Sequence, residues 1–317
     1  QALTLLGSTG AWPSVWAQNF PNRAIRLISG ASAGSASDII GRAVGEKLQA
    51  EFGQNVLMEN RVGAGGSVAI QALQAAPADG HTIFVYTSAH TVVPLLTKVN
   101  FDPVRDFSGV TPLAVVPNVM VVNPGRGFRS VKDVIDAAKL KPGSLNFASV
   151  GAGSSTHMSA EKFKAAAGID TVHVPYKGYG QALTDLMGGQ IQLLLTSGLG
   201  GTPYLKSGRL KALAATSARR LAAFPDIPTV IEAGIADYQL ENLHALYAPA
   251  GVPAAILNAV NSEAQRLMHS PEMTSRLAAE GAEAAPANSP EDFRRTFVKQ
   301  VDLWERFIQR SGVKIEN

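Results

Sequence analysis

The chain switches repeatedly between short apolar runs and apolar positions spaced three and four apart, and these switches predict its elements. Ile25, Leu27 and Ile28 form a run that stops at the small residues of IRLISGASAGSASD. From there Ile39, Ile40, Ala43, Val44 and Leu48 take helical spacing until Gly53, so a strand, a small-residue loop and a helix over residues 37–51 follow one another. Residues 56–59 read as a second strand, Gly63-Ala64-Gly65-Gly66-Ser67 as a turn into a helix running to Ala75, and residues 81–86 as a third strand ending at Thr87-Ser88-Ala89-His90. Strands alternating with helices predict a parallel sheet with helices on both faces.

A polar bend at 101–107 separates this unit from two β-rich runs, 110–116 and 119–122, with Pro117 between them, where the chain crosses into a second domain. Ser130 then caps a helix over 130–138, residues 145–148 make a strand, and SVGAGSSTH at 149–157 opens a helix carrying Met158, Phe163 and Ala166. The strand, small-residue loop and helix start thus occur twice. Residues 172–176 form a strand, Lys177-Gly178-Tyr179-Gly180 leads to a helix ending at Met187, and strand 191–195 ends at Thr196-Ser197-Gly198. Beyond it the pattern predicts a short helix at 203–208, a strand at 210–216, a helical piece at 225–234 and a strand at 242–248 returning to the first domain. Helices at 254–269, 271–280 and 290–311 complete the pattern, with Leu303 and Phe307 at core spacing.

The two repeated loops carry the candidate chemistry. Ser35, three residues before Asp38, can cap the first helix and leave other first-turn N–H groups pointing at an anion. Two such helix starts on facing domains would make a polar cleft rich in backbone donors.

Composition narrows the classes without changing that picture. With 317 residues, 46% of them hydrophobic, the chain can bury the cores of two compact units, which excludes disordered and fibrous classes. The net charge of +3 comes from scattered Lys and Arg, with no basic run interleaved with aromatics, so nucleic acid is not an expected partner. The absence of Cys excludes disulfides, thiolate metal sites and a Cys nucleophile. The six histidines lack metal-ligand spacing, and no metal or cofactor is expected. Residues 1–17, with Leu3, Leu5, Leu6, Trp12 and Trp16 and the small residues Val15 and Ala17, read as the end of a signal peptide, predicting an exported protein that begins at Gln18. No later segment is long and apolar enough to span a membrane, so a soluble product is expected.

One competing chemistry sits in the first loop. Gly30-Ala31-Ser32-Ala33-Gly34 matches the G-x-S-x-G nucleophile elbow between a strand and a helix, and His157 or His244 would be its base in an exported α/β hydrolase. An elbow belongs to an inner strand reached after several βα units and follows an HGGG-type oxyanion motif; neither holds here. Neither loop has a Walker ending or a dinucleotide fingerprint.

The ordered motifs IRLISGASAGSASDIIGR, ENRVGAGGSVA, APADGHTIFV, SVGAGSSTHMSAEKF, VPYKGYGQALTDLMGGQIQ and LKSGRLKALA resemble the extracytoplasmic solute receptors of tripartite tricarboxylate transporters, the Bug proteins, from Arg23 to the C-terminus. The resemblance implies an α/β, two-lobed periplasmic binding protein of Venus-flytrap form, each lobe a mainly parallel sheet flanked by helices. Lobe one would comprise residues 18–122 and 245–317, lobe two residues 123–244, with hinges near 116–123 and 240–248. It implies a receptor rather than an enzyme, capturing a small carboxylate, working as a monomer and delivering to membrane transporter subunits or a sensor. Carried over by position, the ligand contacts are Ala33, Gly34 and Ser37 in lobe one, with Thr87, Ser88 and His90 at the third strand's end. In lobe two they are Gly153, Ser154, Ser155 and His157, with Tyr176, Lys177 and Gly178 at the next strand end. The chain departs from the family at Gly30, where a Pro is common, at Ser35, where a second Gly is common, and at Thr196, where an acidic residue is frequent. A neutral hydroxyl at Thr196 would favour ligands without an ammonium group.

Overall fold

The computed structural model describes residues 20–96, 98–236 and 238–311; the expected signal segment at 1–17 and the start at Gln18 lie outside them. The chain enters on β1 (Ile25–Ser29), α1 (Ala36–Phe52), β2 (Val56–Asn60), α2 (Ser67–Gln74), β3 (Thr82–Thr87) and a short α3 (Val93–Leu96). The crossing strand β4 (Phe107–Val122) follows, then α4 (Val131–Leu140), β5 (Asn146–Ser149), α5 (Ser155–Ala167), β6 (Val172–Pro175), α6 (Tyr179–Met187), β7 (Leu193–Ser197), α7 (Gly198–Lys206) and β8 (Lys211–Ala215). The return strand β9 (Glu241–Pro249) leads to α8 (Ala254–Met268), α9 (Pro271–Ala279), β10 (Glu283–Ala284) and α10 (Pro290–Ser311).

The strands run β2-β1-β3-β9-β4-β7-β5-β6, with β8 and β10 also on β4. The β1, β2 and β3 ladder is parallel, as is the β7, β5 and β6 ladder; the strands joining them, β4 and β9, are antiparallel to their neighbours. The two β-rich runs around Pro117 are one strand. Its first part pairs with β9 and β10 in lobe one, and its last part with β7 and β8 in lobe two.

Both faces of each sheet are covered, which is why the strands read as near-continuous apolar runs. In lobe one, Leu27, Ile40, Val44, Leu246 and Val260 pack on one face, and Ile28, Ile70, Phe84, Tyr247 and Phe293 on the other. In lobe two, Met120 and Val122 join Phe147, Phe163 and Tyr238, while Val119 and Val121 join Ala148, Leu183 and Leu194. Each side chain of this size buried from water contributes about 1.5–3 kcal/mol.

Three expectations are corrected. Residues 225–234 form turns and one bridge, Thr229 to Ala215, because Pro225 and Pro228 remove helical donors. The helix expected at 203–208 starts at Gly198, directly after β7, with the Ser197 side chain accepting the Gly200 N–H as its cap. Leu303 is 64% exposed, and α10 instead buries Phe293 and Phe297 against lobe one while Trp304 packs on lobe two.

Candidate ligand-binding site

Two helix starts face each other where the lobes meet. Ser35 caps α1 by accepting the Asp38 N–H, and Ser154 caps α5 by accepting the His157 N–H. Each cap satisfies the third helical amide, leaving the first two, Ala36 and Ser37 on α1 and Ser155 and Thr156 on α5, without an intrahelical acceptor. All four residues line one cavity of about 50 Å³. At roughly 10–15 Å³ per water centre this holds a few water-sized groups, the scale of a short organic acid. Its walls include Tyr86 and Thr87 at the end of β3, Tyr179 at the start of α6, and Ser197. Its floor is Asn118 on β4 with Asn242 and His244 on β9, the two strands that cross between lobes.

The lobes touch around this cavity. Ser32 Oγ of lobe one accepts the Tyr179 N–H of lobe two at 3.2 Å. Gly65, with φ +63°, lies so close to the Ala152 carbonyl of lobe two that an added methyl would overlap it. Gly153 likewise packs on Val93 across the seam.

No Asp, Glu, Lys or Arg is among the described residues lining the cavity. His244 Nδ1 is hydrogen-bonded to Ser37 Oγ at 3.0 Å, and burial holds its pKa down at about 3, so it is neutral under ordinary conditions. Burial raises the Tyr86 phenol, whose O–H donates to the Gly65 carbonyl. The positive character of the site therefore comes from helix ends and neutral donors. Affinity for a fully ionised dicarboxylate is expected to change less than about twofold between about pH 6 and 8, since no lining group titrates there. Protonating His244 would tighten anion binding only near pH 3. Calorimetry at the two ends of the neutral range checks this.

Of the positions carried over by resemblance, Ser37, Thr87, Ser154 and Ser155 line the cavity. The others lie elsewhere. Ala33 and Gly34 are exposed, and the Gly34 N–H donates to Asp38 Oδ2 at 3.0 Å. The Gly153 N–H donates to His157 Nδ1 at 3.1 Å, and the His157 ring stacks on His173 with centroids 4.1 Å apart. Burial, with His173 and Lys164 nearby, takes His157 to about 3. His90 donates from Nδ1 to the Thr87 carbonyl, stacks on Phe297 and is lowered by burial to about 4. Ser88 is buried outside the cavity and its carbonyl accepts from Thr91. Tyr176 donates its O–H to Asp185 at 2.7 Å, Lys177 is exposed, and Gly178 lies at the seam beside Ser32. Thr196 is fully buried beside Gly201, its hydroxyl without a partner among the described residues. Strand alternation gives the cavity position to Ser197, one residue later.

Asn118, Thr156, Ser197 and Asn242 were not singled out from the sequence. A signal existed for Asn118, a lone polar residue in the apolar run PNVMVV; Asn242 stands between Glu241 and His244 in ENLHALYAP and is less marked.

The hydrolase alternative fails on geometry. Ser32 is hydrogen-bonded to a backbone amide, His244 to Ser37, and His157 to Gly153, so neither proposed base reaches Ser32. Ser32→Ala is expected to leave ester hydrolysis at background. Losing one neutral hydrogen bond across the seam should weaken ligand binding by about 2–12-fold, measurable by calorimetry alongside an esterase assay.

Comparison with known proteins identifies the family. The sequence pattern of the tripartite tricarboxylate transporter family receptor matches residues 40–313. A protein of Bordetella bronchiseptica is 33% identical over 305 residues, 95% of this chain and 90% of that one. The Rhodopseudomonas palustris protein Rpa4515, solved with adipate, superposes with a TM-score of 0.89 at 30% identity, covering 93% of this chain and 99% of that one. MatC of the same organism, solved with bound malate, has a TM-score of 0.86 at 26% identity, covering 90% and 99%. Among the described residues no helix is long and apolar enough to cross a membrane. The matched sequence and the shared fold show that the chain belongs to the tripartite tricarboxylate transporter family of receptors, which are solute-binding proteins and not enzymes.

Proposed function

We propose that this receptor captures a small carboxylate between its lobes, with the ligand's charge held by the first-turn amides of α1 and α5. The observation that carries the reading is a small interlobe cavity into which two helix starts open and where no charged side chain projects among the described lining residues. Adipate and malate in the two R. palustris proteins support a carboxylate here. Each hydrogen bond to a charged oxygen contributes about 1.5–3 kcal/mol, and a helix start about 0.3–1. Association opposes this by at least ~4 kcal/mol, so about five such bonds in the middle of that range give an affinity on the order of micromolar.

In this reading Ser37, Ser154, Ser155 and Thr87 line the ligand, while His157 and His90 hold the loops behind them. By chain, lobe one takes 18–122 with 245–317 and lobe two takes 123–244, with the last residues of β4 packing on lobe two, and the shared strands β4 and β9 are the hinge. The protein works as an exported monomer in the periplasm, its leader at 1–17 removed, and hands its ligand to membrane transporter subunits or a sensor. The absence of an acidic side chain among the described lining residues disfavours ligands bearing an ammonium group.

Mass spectrometry of small molecules released by denaturing freshly purified protein, followed by calorimetry with the compound found and its α-amino analogue, tests the proposal. A carboxylate is expected. Tighter binding of the amino compound by about tenfold or more would contradict the electrostatic argument.

A further inference from the structure

The cavity floor carries hydrogen-bond acceptors that a bare carboxylate cannot use. The Asn242 side-chain N–H donates to the Val116 carbonyl at 3.3 Å, and since a carbonyl only accepts, this contact fixes Nδ2 on that side and Oδ1 on the other. The Asn118 side-chain N–H donates to Ser159 Oγ at 2.6 Å, and its backbone N–H to Thr216 Oγ1. Neither Oδ1 has a partner among the described residues; the two residues are 1% and 5% exposed for Asn118 and Asn242, and both line the cavity. The register places them together. Asn242 sits opposite Val116 on β4, and Asn118 is two residues further along, on the same face, roughly 7–8 Å away. That face continues as core through Val116 and, beyond His244, through Leu246 and Ala248, so the two amides and His244 interrupt an apolar surface where the ligand would rest.

An acceptor facing the cavity that a ligand covers without pairing is unfavourable, so a ligand that supplies a hydrogen there gains specificity over one that does not. A carboxylate has no hydrogen to give. An ammonium group has, but its charge would face two helix starts with no carboxylate among the described lining residues to offset it. A neutral hydroxyl meets both conditions. Resting on the carboxylate reading above, we propose that the ligand is a hydroxycarboxylate, its carboxylate on the helix starts and its hydroxyl donating to Asn242 Oδ1. Asn118 Oδ1 accepts from a second hydroxyl where the ligand has one.

Calorimetry on the whole protein with two graded series tests this: propionate, lactate and glycerate, and succinate, malate and tartrate, with both enantiomers of each chiral acid and with aspartate added. In the series that binds, the first hydroxyl is expected to tighten binding by about tenfold or more, the second to tighten it further, and aspartate to bind more weakly than malate. Asn242→Leu, close in shape but without the acceptor, should reduce the first step to less than about threefold while the unliganded melting temperature stays within a few degrees. Equal binding of hydroxylated and unhydroxylated acids overturns the hydroxyl assignment and leaves the carboxylate reading standing. Aspartate binding more tightly than malate overturns it too, as does a hydroxyl preference undiminished in Asn242→Leu. Failure of both series overturns the hydroxycarboxylate class, and the molecules released by denaturation then report whether a carboxylate is bound at all.

Discussion

Ser155→Asp is expected to weaken carboxylate binding by about 100-fold or more while leaving the unliganded protein as stable as before, or slightly more so. The two effects have opposite signs because they have different causes. Ser155 is the first residue of α5, where a carboxylate side chain interacts favourably with the helix dipole by about 0.3–1 kcal/mol. It also lines the cavity, so the new carboxylate sits beside the position proposed for the ligand's own. Two like charges about 5 Å apart at an effective dielectric of about 20 repel by roughly 3 kcal/mol, a factor of more than 100. Ser155→Asn, equal in size to the aspartate variant and uncharged, should stay within a few-fold of the wild type. Calorimetry and thermal melting on the three proteins read both quantities. Unchanged affinity in Ser155→Asp would mean that the ligand's charge does not lie at this helix start.

Gly65→Ala should weaken binding by about 30–100-fold, roughly 2–3 kcal/mol, through closure rather than through any ligand contact. Gly65 has φ +63°, so alanine there carries about 1–2 kcal/mol of left-handed strain in the open and closed forms alike. The overlap of its methyl with the Ala152 carbonyl exists only when the lobes meet, and backbone on both sides leaves little to move aside. A lesser contact with Val93 lies within lobe one. Gly53 supplies the control: its φ is +65°, it ends α1, and nothing lies within 4 Å of an added methyl. Gly53→Ala should lower the melting temperature by a similar amount and leave affinity unchanged. Equal affinities for the two variants would show that the lobes do not close through this contact.

The histidines illustrate how position along a helix or strand misleads about direction. His157 stands one turn into α5, whose start opens on the cavity, which made its ring a natural ligand contact. The ring instead turns back to accept the Gly153 N–H and stacks on His173, because the third helical residue of a capped start points along its own loop. His244, weighed only as a hydrolase base, lies on the cavity floor because β9 is one of the crossing strands. Thr196 and Ser197 differ by one place in a strand and therefore by a whole face.

What the sequence determined was local. Strand, small-residue loop and capped helix start are written within a few residues each, because a Ser accepting the amide three positions on is a short-range bond, and both Ser35 and Ser154 form it. Period changes marked most elements, the crossing near Pro117 and the return near Asn242. The helix start at Gly198 was not legible, since Gly198, Gly200 and Gly201 are poor helix formers and the Ser197 cap with packing against β4 and β7 overrides that preference. Only the tertiary structure decided which residues share the cavity. Asn118 and Asn242 come to one face, and Ser32 meets Tyr179, across long stretches of chain, through strand register and lobe contact. A strand's two faces look alike in sequence until it is known which of them another lobe covers.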